Sequence, residues 1–271
     1  MVVRGGGELA TAAARLLFLA GFKVVVLERG QPLAVRRLVS FAEALASGEH
    51  EVEGIRARRV EPDALAGALA AADAVPVVVD PEARQVARLR PQVVVDARML
   101  KRGGERIVTG GALLVGLGPG LVAGEDVDAV VETQRGPDLG RVIWSGAAQA
   151  DSGNPAPIAG VAEARVLRAP CAGRFLASAT IGALVAAGDS LGEVDGSPVR
   201  AATSGLLRGL IADGVVVELG DKLGDVDPRG RAVDPARISD KARAVAAGVL
   251  EAVTLGLLRR ERPLLASGVR G

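Results

Sequence analysis

An eleven-residue pattern that recurs at a fixed distance places the strongest constraint on the fold of this chain. Residues 185–195 have the sequence VAAGDSLGEVD, and residues 217–227, 32 positions later, have the sequence VELGDKLGDVD. Gly173 and Gly205 obey the same offset, each after a turn of small residues. Neither copy could bury its apolar face alone, so the repeat predicts two interlocked halves in one β-rich, pseudo-twofold module.

Such a module invites comparison with lipoyl and biotinyl domains, which present a lysine at the tip of a hairpin between their two halves. The equivalent tip in this chain lies near residues 196–198, which contain no lysine, and Lys222 sits inside the second repeat instead. We therefore expect a structural or docking module rather than a carrier of a swinging arm.

A strand, a glycine turn, a helix and a second strand are predicted within the first 28 residues. Residues 1–4 form an apolar strand-like run, an Ala/Leu-rich helical segment extends to about Ala20, and residues 23–28 form the next strand. Strand-like and helical segments go on alternating, as in a doubly wound parallel sheet. The expected fold class is α/β: a Rossmann-like parallel-sheet domain, a small barrel-sandwich module of lipoyl/biotinyl type, and a C-terminal helix.

Composition places the expected domain boundaries. Residues 145–160 are rich in Gly, Ala, Pro and small polar residues, and helical patterns then vanish until about Ile238. We expect a Rossmann-like domain over residues 1–160, the duplicated module over 161–232, and a helix with a tail over 233–271.

The first glycine turn has the spacing of a dinucleotide-type fingerprint. Gly5 permits the tight turn, Gly7 lets a phosphate approach the backbone, and the small Ala10 lets the helix pack on the strand. Gly6 lies between them, and the helix N-terminus offers free N–H groups to the phosphate. Glu28 closes the next strand, where it could accept hydrogen bonds from a ribose. The alternative is a turn of the same shape without a nucleotide.

Other candidate ligand residues also end predicted strands. Such ends meet at one edge of a parallel sheet, where ligands bind. The candidates are Asp96, Arg98, Gly118, Gly120, Thr133 and Arg135. The two arginines are candidate anion anchors, while an ordinary turn and a solvated surface remain the alternatives.

Composition argues against several classes of partner and site. The net charge is +1, aromatic residues make up 2%, and tyrosine is absent, so nucleic acid and anionic membranes are not expected partners. One cysteine, Cys171, and one histidine, His50, leave no multi-cysteine or multi-histidine metal site. Apolar runs fall short of the roughly 20 residues that span a bilayer, and no signal-peptide pattern is present. We expect a cytoplasmic protein.

Several longer runs carry a resemblance to a known family: residues 3–11, 31–37, 39–44, 95–99, 117–120, 131–133, 140–143, 225–230 and 238–243. They resemble the YqeB-type accessory family of selenium-dependent molybdenum hydroxylases, which is similar to the XdhC/CoxI group. The resemblance extends from residue 2 to about residue 253.

The resemblance implies an accessory role in hydroxylase maturation rather than the hydroxylase reaction itself. It implies a molybdenum hydroxylase apoenzyme or a selenium-handling protein as the partner, and the XdhC group is associated with binding the molybdenum cofactor before insertion. The chain also departs from the family. Glu8 stands where an aspartate is more usual, and Asp128 and Pro137 stand where histidines are expected.

Three functions follow from these observations. The first is a maturation factor, not itself an enzyme and compatible with a homo-oligomer, that binds molybdenum cofactor or an NAD-like nucleotide at the glycine loops. The second is an NAD-linked oxidoreductase. The lack of tyrosine and of a general acid near the fingerprint argues against this function. The third is a non-catalytic scaffold.

Overall fold

The computed structural model describes residues 1–101, 103, 107, 109–151, 153 and 157–261. This described part forms two regions. The first region is a large sheet with helices on both faces, formed by the first part of the chain together with the last helix. The second is a β module, which lies in sequence between that first part and the last helix.

A nine-stranded sheet forms the centre of the first region. Its strands are β1 (Val2–Arg4), β2 (Val25–Glu28), β3 (Glu49–Val52), β4 (Ile55–Arg59), β5 (Val75–Val79), β6 (Val93–Asp96), β7 (Leu113–Leu117), β9 (Ala129–Val131) and β10 (Val142–Ile143). Their order is β10-β9-β7-β6-β1-β2-β5-β4-β3. The inner strands are parallel, whereas β10 and β3, at the two edges, run antiparallel to their neighbours. A separate two-stranded sheet joins β8 (Val122–Ala123) to β11 (Gly146–Ala147).

The expected fold class, a Rossmann-like parallel sheet with a lipoyl/biotinyl-like barrel-sandwich module and a C-terminal helix, is wrong. The sheet is mixed rather than parallel, because a hairpin closes one edge and β10 folds back on β9 at the other. The edge strands β3 and β10 are too short for hydrophobic patterning to reveal their orientation. The first region is a mixed α/β layer structure with one large sheet.

Alternate side chains of each inner strand enter two separate cores. Val93 and Val95 face one side of β6 and Val94 the other, and all three are fully buried. Helices α1 (Glu8–Leu19) and α5 (Asp240–Glu261) cover the first face, where the short α2 (Ala44–Ser47) also lies. Helices α3 (Leu65–Ala71) and α4 (Arg84–Leu89) cover the second.

The β module consists of two four-stranded sheets. Its strands are β12 (Val166–Arg168), β13 (Gly173–Ala177), β14 (Leu184–Val185), β15 (Ser190–Val194), β16 (Ser197–Arg200), β17 (Gly205–Leu210), β18 (Val216–Val217) and β19 (Lys222–Asp227). The sheets have the orders β12-β19-β17-β14 and β16-β15-β13-β18.

The strand pairing of the β module obeys the 32-residue offset. Shifting each strand of one sheet by one copy gives its counterpart in the other, and each sheet contains two strands from each copy. Phe175, Leu191 and Val194 are buried, and so are their counterparts, Leu207, Leu223 and Val226. The two copies therefore share one core, which neither could form alone.

Two repeated glycines are required where the module's strands approach each other most closely. Gly173 and Gly205 have φ angles of +149° and +158°. A Cβ atom at Gly173 would clash with the side chain of Asp195, and one at Gly205 with the backbone of Asp227, which is the repeat counterpart of Asp195. The sequence repeat thus preserves both the turns and their contacts.

Helix α5 lies directly against the sheet at Gly248. A Cβ atom there would clash with the carbonyl oxygen of Gly140 and lie 2.8 Å from Cγ1 of Val131. Alanine normally exceeds glycine in helix propensity by about 1 kcal/mol. Here we expect Gly248→Ala to lower the free energy of unfolding by about 1–3 kcal/mol, because the added methyl group must push helix and sheet apart. Chemical denaturation followed by circular dichroism measures this change.

Gly67 in α3 provides the matched control, since a Cβ atom at that position would meet nothing within 4 Å. Gly67→Ala should therefore raise the free energy of unfolding by about 1 kcal/mol. Equal effects of the two substitutions would contradict the close approach of α5 to the sheet.

Candidate functional site

A cleft of about 940 Å³ opens at the carboxyl ends of β1, β2, β5 and β6. We call it the glycine cleft, because Gly5 and Gly7 lie in its wall. Its apolar lining is provided by Leu9, Leu27, Leu33, Ala34, Val35, Pro81 and Met99, and its charged lining includes Arg4, Glu8, Glu28, Arg36 and Arg98. The sheet edge that the sequence predicted for ligand binding is therefore concave and is lined by both apolar and charged side chains.

The three glycines of the first turn have different roles. Gly5 has φ +99° and donates its N–H to the carbonyl oxygen of Leu27 over 2.8 Å. A Cβ atom on Gly6 would lie 2.9 Å from the backbone nitrogen of Ala42, so Gly6 permits close packing. Gly7 is the N-cap of α1 and has open space at its Cβ position. Only Gly7 combines a place at the helix N-terminus with room for a ligand.

Glu28 holds the glycine turn. Its Oε2 accepts a hydrogen bond of 2.7 Å from the backbone N–H of Gly6, and its Oε1 accepts one of 2.7 Å from Arg29. The Glu28 carboxylate therefore accepts the hydrogen bond of the Gly6 N–H group, which the fingerprint predicted as a donor to a phosphate. Contact of Glu28 with a ribose stays a prediction.

Glu8, the first residue of α1, is engaged by two distant segments of the chain. Its Oε1 accepts a hydrogen bond of 2.9 Å from the backbone N–H of Ser239, and both carboxylate oxygens lie 3.4 Å from Nη1 of Arg36. Glu8 thus joins α1 to the start of α5, and its charge is compensated by Arg36. Ala10, two residues further along α1, is 1% exposed and packs in the core.

Asp96 and Arg98 form a charged cluster with Arg4 at the end of β1 and β6. Arg98 donates from Nη2 to Oδ2 of Asp96 over 2.7 Å, and Arg4 donates from Nη1 to the same oxygen over 3.2 Å. Burial lowers the pKa of Arg4, although the Asp96 carboxylate opposes this shift. Asp96 therefore fixes two arginines in the wall of the cleft.

The second glycine loop is closely packed against its neighbours. A Cβ atom at Gly120 would clash with the backbone of Leu100, and one at Gly118 would lie 3.2 Å from Cε of Met99. Thr133 is 4% exposed, and its Oγ1 also lies against Gly118. Among the described residues, Gly118 and Gly120 do not line the glycine cleft. They do not line the second cleft, described next, either.

A second cleft, of about 720 Å³, adjoins the first and shares Glu8, Arg36 and Met99 with it. We call it the basic cleft. It lies between the sheet edge and the β module, and its lining includes Thr133, Arg135, Arg165, Arg208, Lys222 and Lys241. Sequence reasoning missed this cleft, because its side chains come from distant parts of the chain and follow no local spacing.

Glu132 is a second residue that sequence reasoning missed. It is 2% exposed, and its two carboxylate oxygens accept hydrogen bonds from the backbone N–H groups of Gln134, over 2.6 Å, and Gln149, over 2.7 Å. Glu132 therefore ties two loops together at the end of β9. A carboxylate directly after a buried apolar strand was the available signal.

Arg135 is engaged by Asp240 at the start of α5. Two hydrogen bonds of 2.6 and 2.8 Å join the guanidinium to the carboxylate. These bonds hold the pKa of Asp240 well below its usual range, although partial burial acts in the opposite direction. Arg135 lines the basic cleft as one half of an ion pair.

The described residues contain no cluster of three or more His, Cys, Asp or Glu side chains that could hold a metal ion. The same described part has no helix with the length and apolar character needed to cross a bilayer.

Arg135→Gln should raise the pKa of Asp240 toward its ordinary value, because the substitution removes both hydrogen bonds and the neighbouring positive charge. Carboxyl-detected NMR titration measures the change. Arg141→Gln, which removes the partner of Asp138 instead, should leave Asp240 unchanged. An unaltered Asp240 titration in Arg135→Gln would contradict the pair.

Comparison with solved structures returns proteins of the aspartoacylase and succinylglutamate desuccinylase families. A succinylglutamate desuccinylase from Silicibacter sp. is 14% identical and has a TM-score of 0.24, with 83% of each chain covered. The ectoine utilization protein EutE from Ruegeria pomeroyi is 26% identical over 31% of this chain and 27% of its own, with a TM-score of 0.22. At these TM-scores the likeness carries no statement about activity.

No family model matches the chain. The uncharacterized protein YqeB of Escherichia coli K12 is 42% identical over 255 residues, which are 94% of this chain. The chain spans about half the length of this curated relative, 47%. The predicted resemblance to YqeB is therefore confirmed along nearly the whole chain, and it supports placing the chain in a YqeB-type family.

Proposed function

We propose that the chain is an accessory protein that holds an anionic heterocyclic ligand, either molybdenum cofactor or a nucleotide, in the glycine cleft. The observation that carries this proposal is the open N-terminus of α1 at Gly7, in the wall of a cleft of about 940 Å³. The first N–H groups of a helix have no partner within it and favour an anion.

The lining of the glycine cleft suits both parts of such a ligand. Leu33, Val35 and Met99 offer apolar surface to a flat ring system. Arg98, fixed by Asp96, provides a positive charge near the helix N-terminus. Glu8 also lines this cleft, and Arg36 and the backbone N–H of Ser239 compensate the charge of its carboxylate.

An accessory role is favoured over an oxidoreductase by the residues of the cleft. The described lining of the glycine cleft includes no His, Cys or Tyr, which are common proton donors and acceptors in catalysis. The resemblance of the sequence runs to the YqeB-type accessory family suggests the maturation of selenium-dependent molybdenum hydroxylases as the setting. The partner proposed on this basis is a hydroxylase apoenzyme or a selenium-handling protein.

Gly7→Asp should weaken ligand binding at least tenfold, because it places a negative charge at the helix N-terminus that faces the cleft. Fluorescence or calorimetric titration with molybdenum cofactor, ATP and NAD measures the affinity. The fold should be retained or stabilised, since Gly7 has open space and aspartate is a favourable N-cap.

Gly7→Asn is the control, because asparagine caps the helix with the same shape and no charge. It should bind more tightly than Gly7→Asp. The proposal is wrong if none of the three ligands binds to the unsubstituted protein, or if the aspartate and asparagine variants bind equally well.

A further inference from the structure

The basic cleft holds more positive than negative charge. Among the described residues, eight Lys and Arg side chains line it, against three Asp and Glu side chains. Several of these cations already have partners: Arg135 pairs with Asp240, Arg165 with Asp225 and Lys101 with Asp151. The acidic groups near the cleft are therefore already engaged, and a positive surplus remains.

Lys222 and Lys241 carry much of this surplus. Neither makes a hydrogen bond through its ammonium group, or an ion pair, with any described residue. Lys222 begins β19, and Lys241 lies in the first turn of α5, where the helix dipole disfavours a cation. Lys222 is exposed and Lys241 half-buried. Partial desolvation lowers the pKa of both, and the Lys222 ammonium group further lowers the pKa of Lys241. Lys241 is thus an unfavourably placed cation, and Lys222 is an unpaired cation in the same lining.

Two buried arginines add unsatisfied donors to the same wall. The side chains of Arg36 and Arg208 are 10% and 11% exposed. The Nε atom of each is buried and has no hydrogen-bond partner in the structure. Buried donors of this kind are nearly always paired in folded proteins, so these two N–H groups point to a missing acceptor.

The duplication inside the β module provides an internal comparison for Lys222. Ser190 occupies the equivalent position in the first copy, 32 residues earlier, and starts an equivalent strand. Ser190 pairs with Arg200 in the same register in which Lys222 pairs with Arg168. A serine is therefore sufficient to build the strand, and of these two equivalent positions it is that of Lys222 that lines the basic cleft.

We propose that the basic cleft binds a phosphate or diphosphate group, with Lys222, Lys241 and the Nε of Arg208 as its principal donors. Lysine and arginine together are the side chains that recognise phosphoryl oxygens. The surplus of positive charge favours a group with several negative charges. This inference concerns a different cleft from the proposed function, and it stands whether or not the glycine cleft binds its ligand.

Isothermal titration of the whole chain at low ionic strength tests the inference, with inorganic diphosphate and ADP as the probes. We expect both to bind, and we expect Lys222→Ser and Lys241→Met each to weaken binding at least tenfold. Lys222→Ser restores the residue of the first copy, so it should fold normally. Tighter binding of ADP would identify an organic phosphate as the ligand, and equal binding the free ion.

Lys23→Ser is the matched control, because Lys23 is exposed and lines neither cleft. It should bind both probes like the unsubstituted chain. Gly7→Asp should also leave the affinity for inorganic diphosphate within about threefold, which separates this site from the glycine cleft. The inference is overturned if neither probe binds, or if folded Lys222→Ser and Lys241→Met bind as tightly as the unsubstituted chain.

Proton uptake gives an independent readout. Burial and neighbouring cations lower the pKa of Lys222 and Lys241, so a bound anion should raise both values and draw protons from the buffer. The charged groups that act on the two lysines are Glu8, Arg36, Glu132, Arg135, Arg165 and Asp225. Titration with ADP, whose phosphates are ionised on the alkaline side of neutrality, in buffers of different ionisation enthalpy should show net uptake, reduced in Lys222→Ser. Uptake that is unchanged in Lys222→Ser would contradict contact of the anion with Lys222.

Discussion

The close contact of α5 with the sheet anchors the segment that follows the β module to the first region. The chain leaves the sheet, forms the whole β module and then returns, and α5 packs on α1 and on the strands beside Gly140. Hydrogen bonds from Ser239 to Glu8, and from Arg37 to the carbonyl oxygen of Leu210, fasten the module's flanks to the sheet edge. The basic cleft exists because this edge and the module are held next to each other, whereas the glycine cleft is lined by the first region alone.

Glycine has opposite roles in the two turns that the sequence emphasised. At Gly6 and Gly120 the missing side chain lets one part of the backbone approach another. The space that a Cβ atom would need there is occupied by neighbouring protein atoms. At Gly7 the space is open and lies at the end of a helix. A glycine-rich pattern alone does not distinguish these cases, because both require only that no Cβ is present.

Much of the structure could be predicted from short-range pattern. The 32-residue repeat predicted a duplicated β module, and the apolar runs around the first turn predicted β1, α1 and β2 close to their observed bounds. The direction of the edge strands could not be predicted, since it depends on tertiary pairing. Likewise, the bond from Gly6 to Glu28 and the meeting of Lys222 with Lys241 depend on contacts between distant segments, which leave no periodic signal.

The exchange of strands between the two copies of the module has a consequence for its folding and its origin. Each sheet takes two strands from each copy, so a fragment that contained one copy alone would leave both sheets half built. The module should therefore form in a single cooperative step. Its topology is that of an intertwined dimer whose two subunits have been fused into one polypeptide, which leaves each half free to diverge on the face it presents.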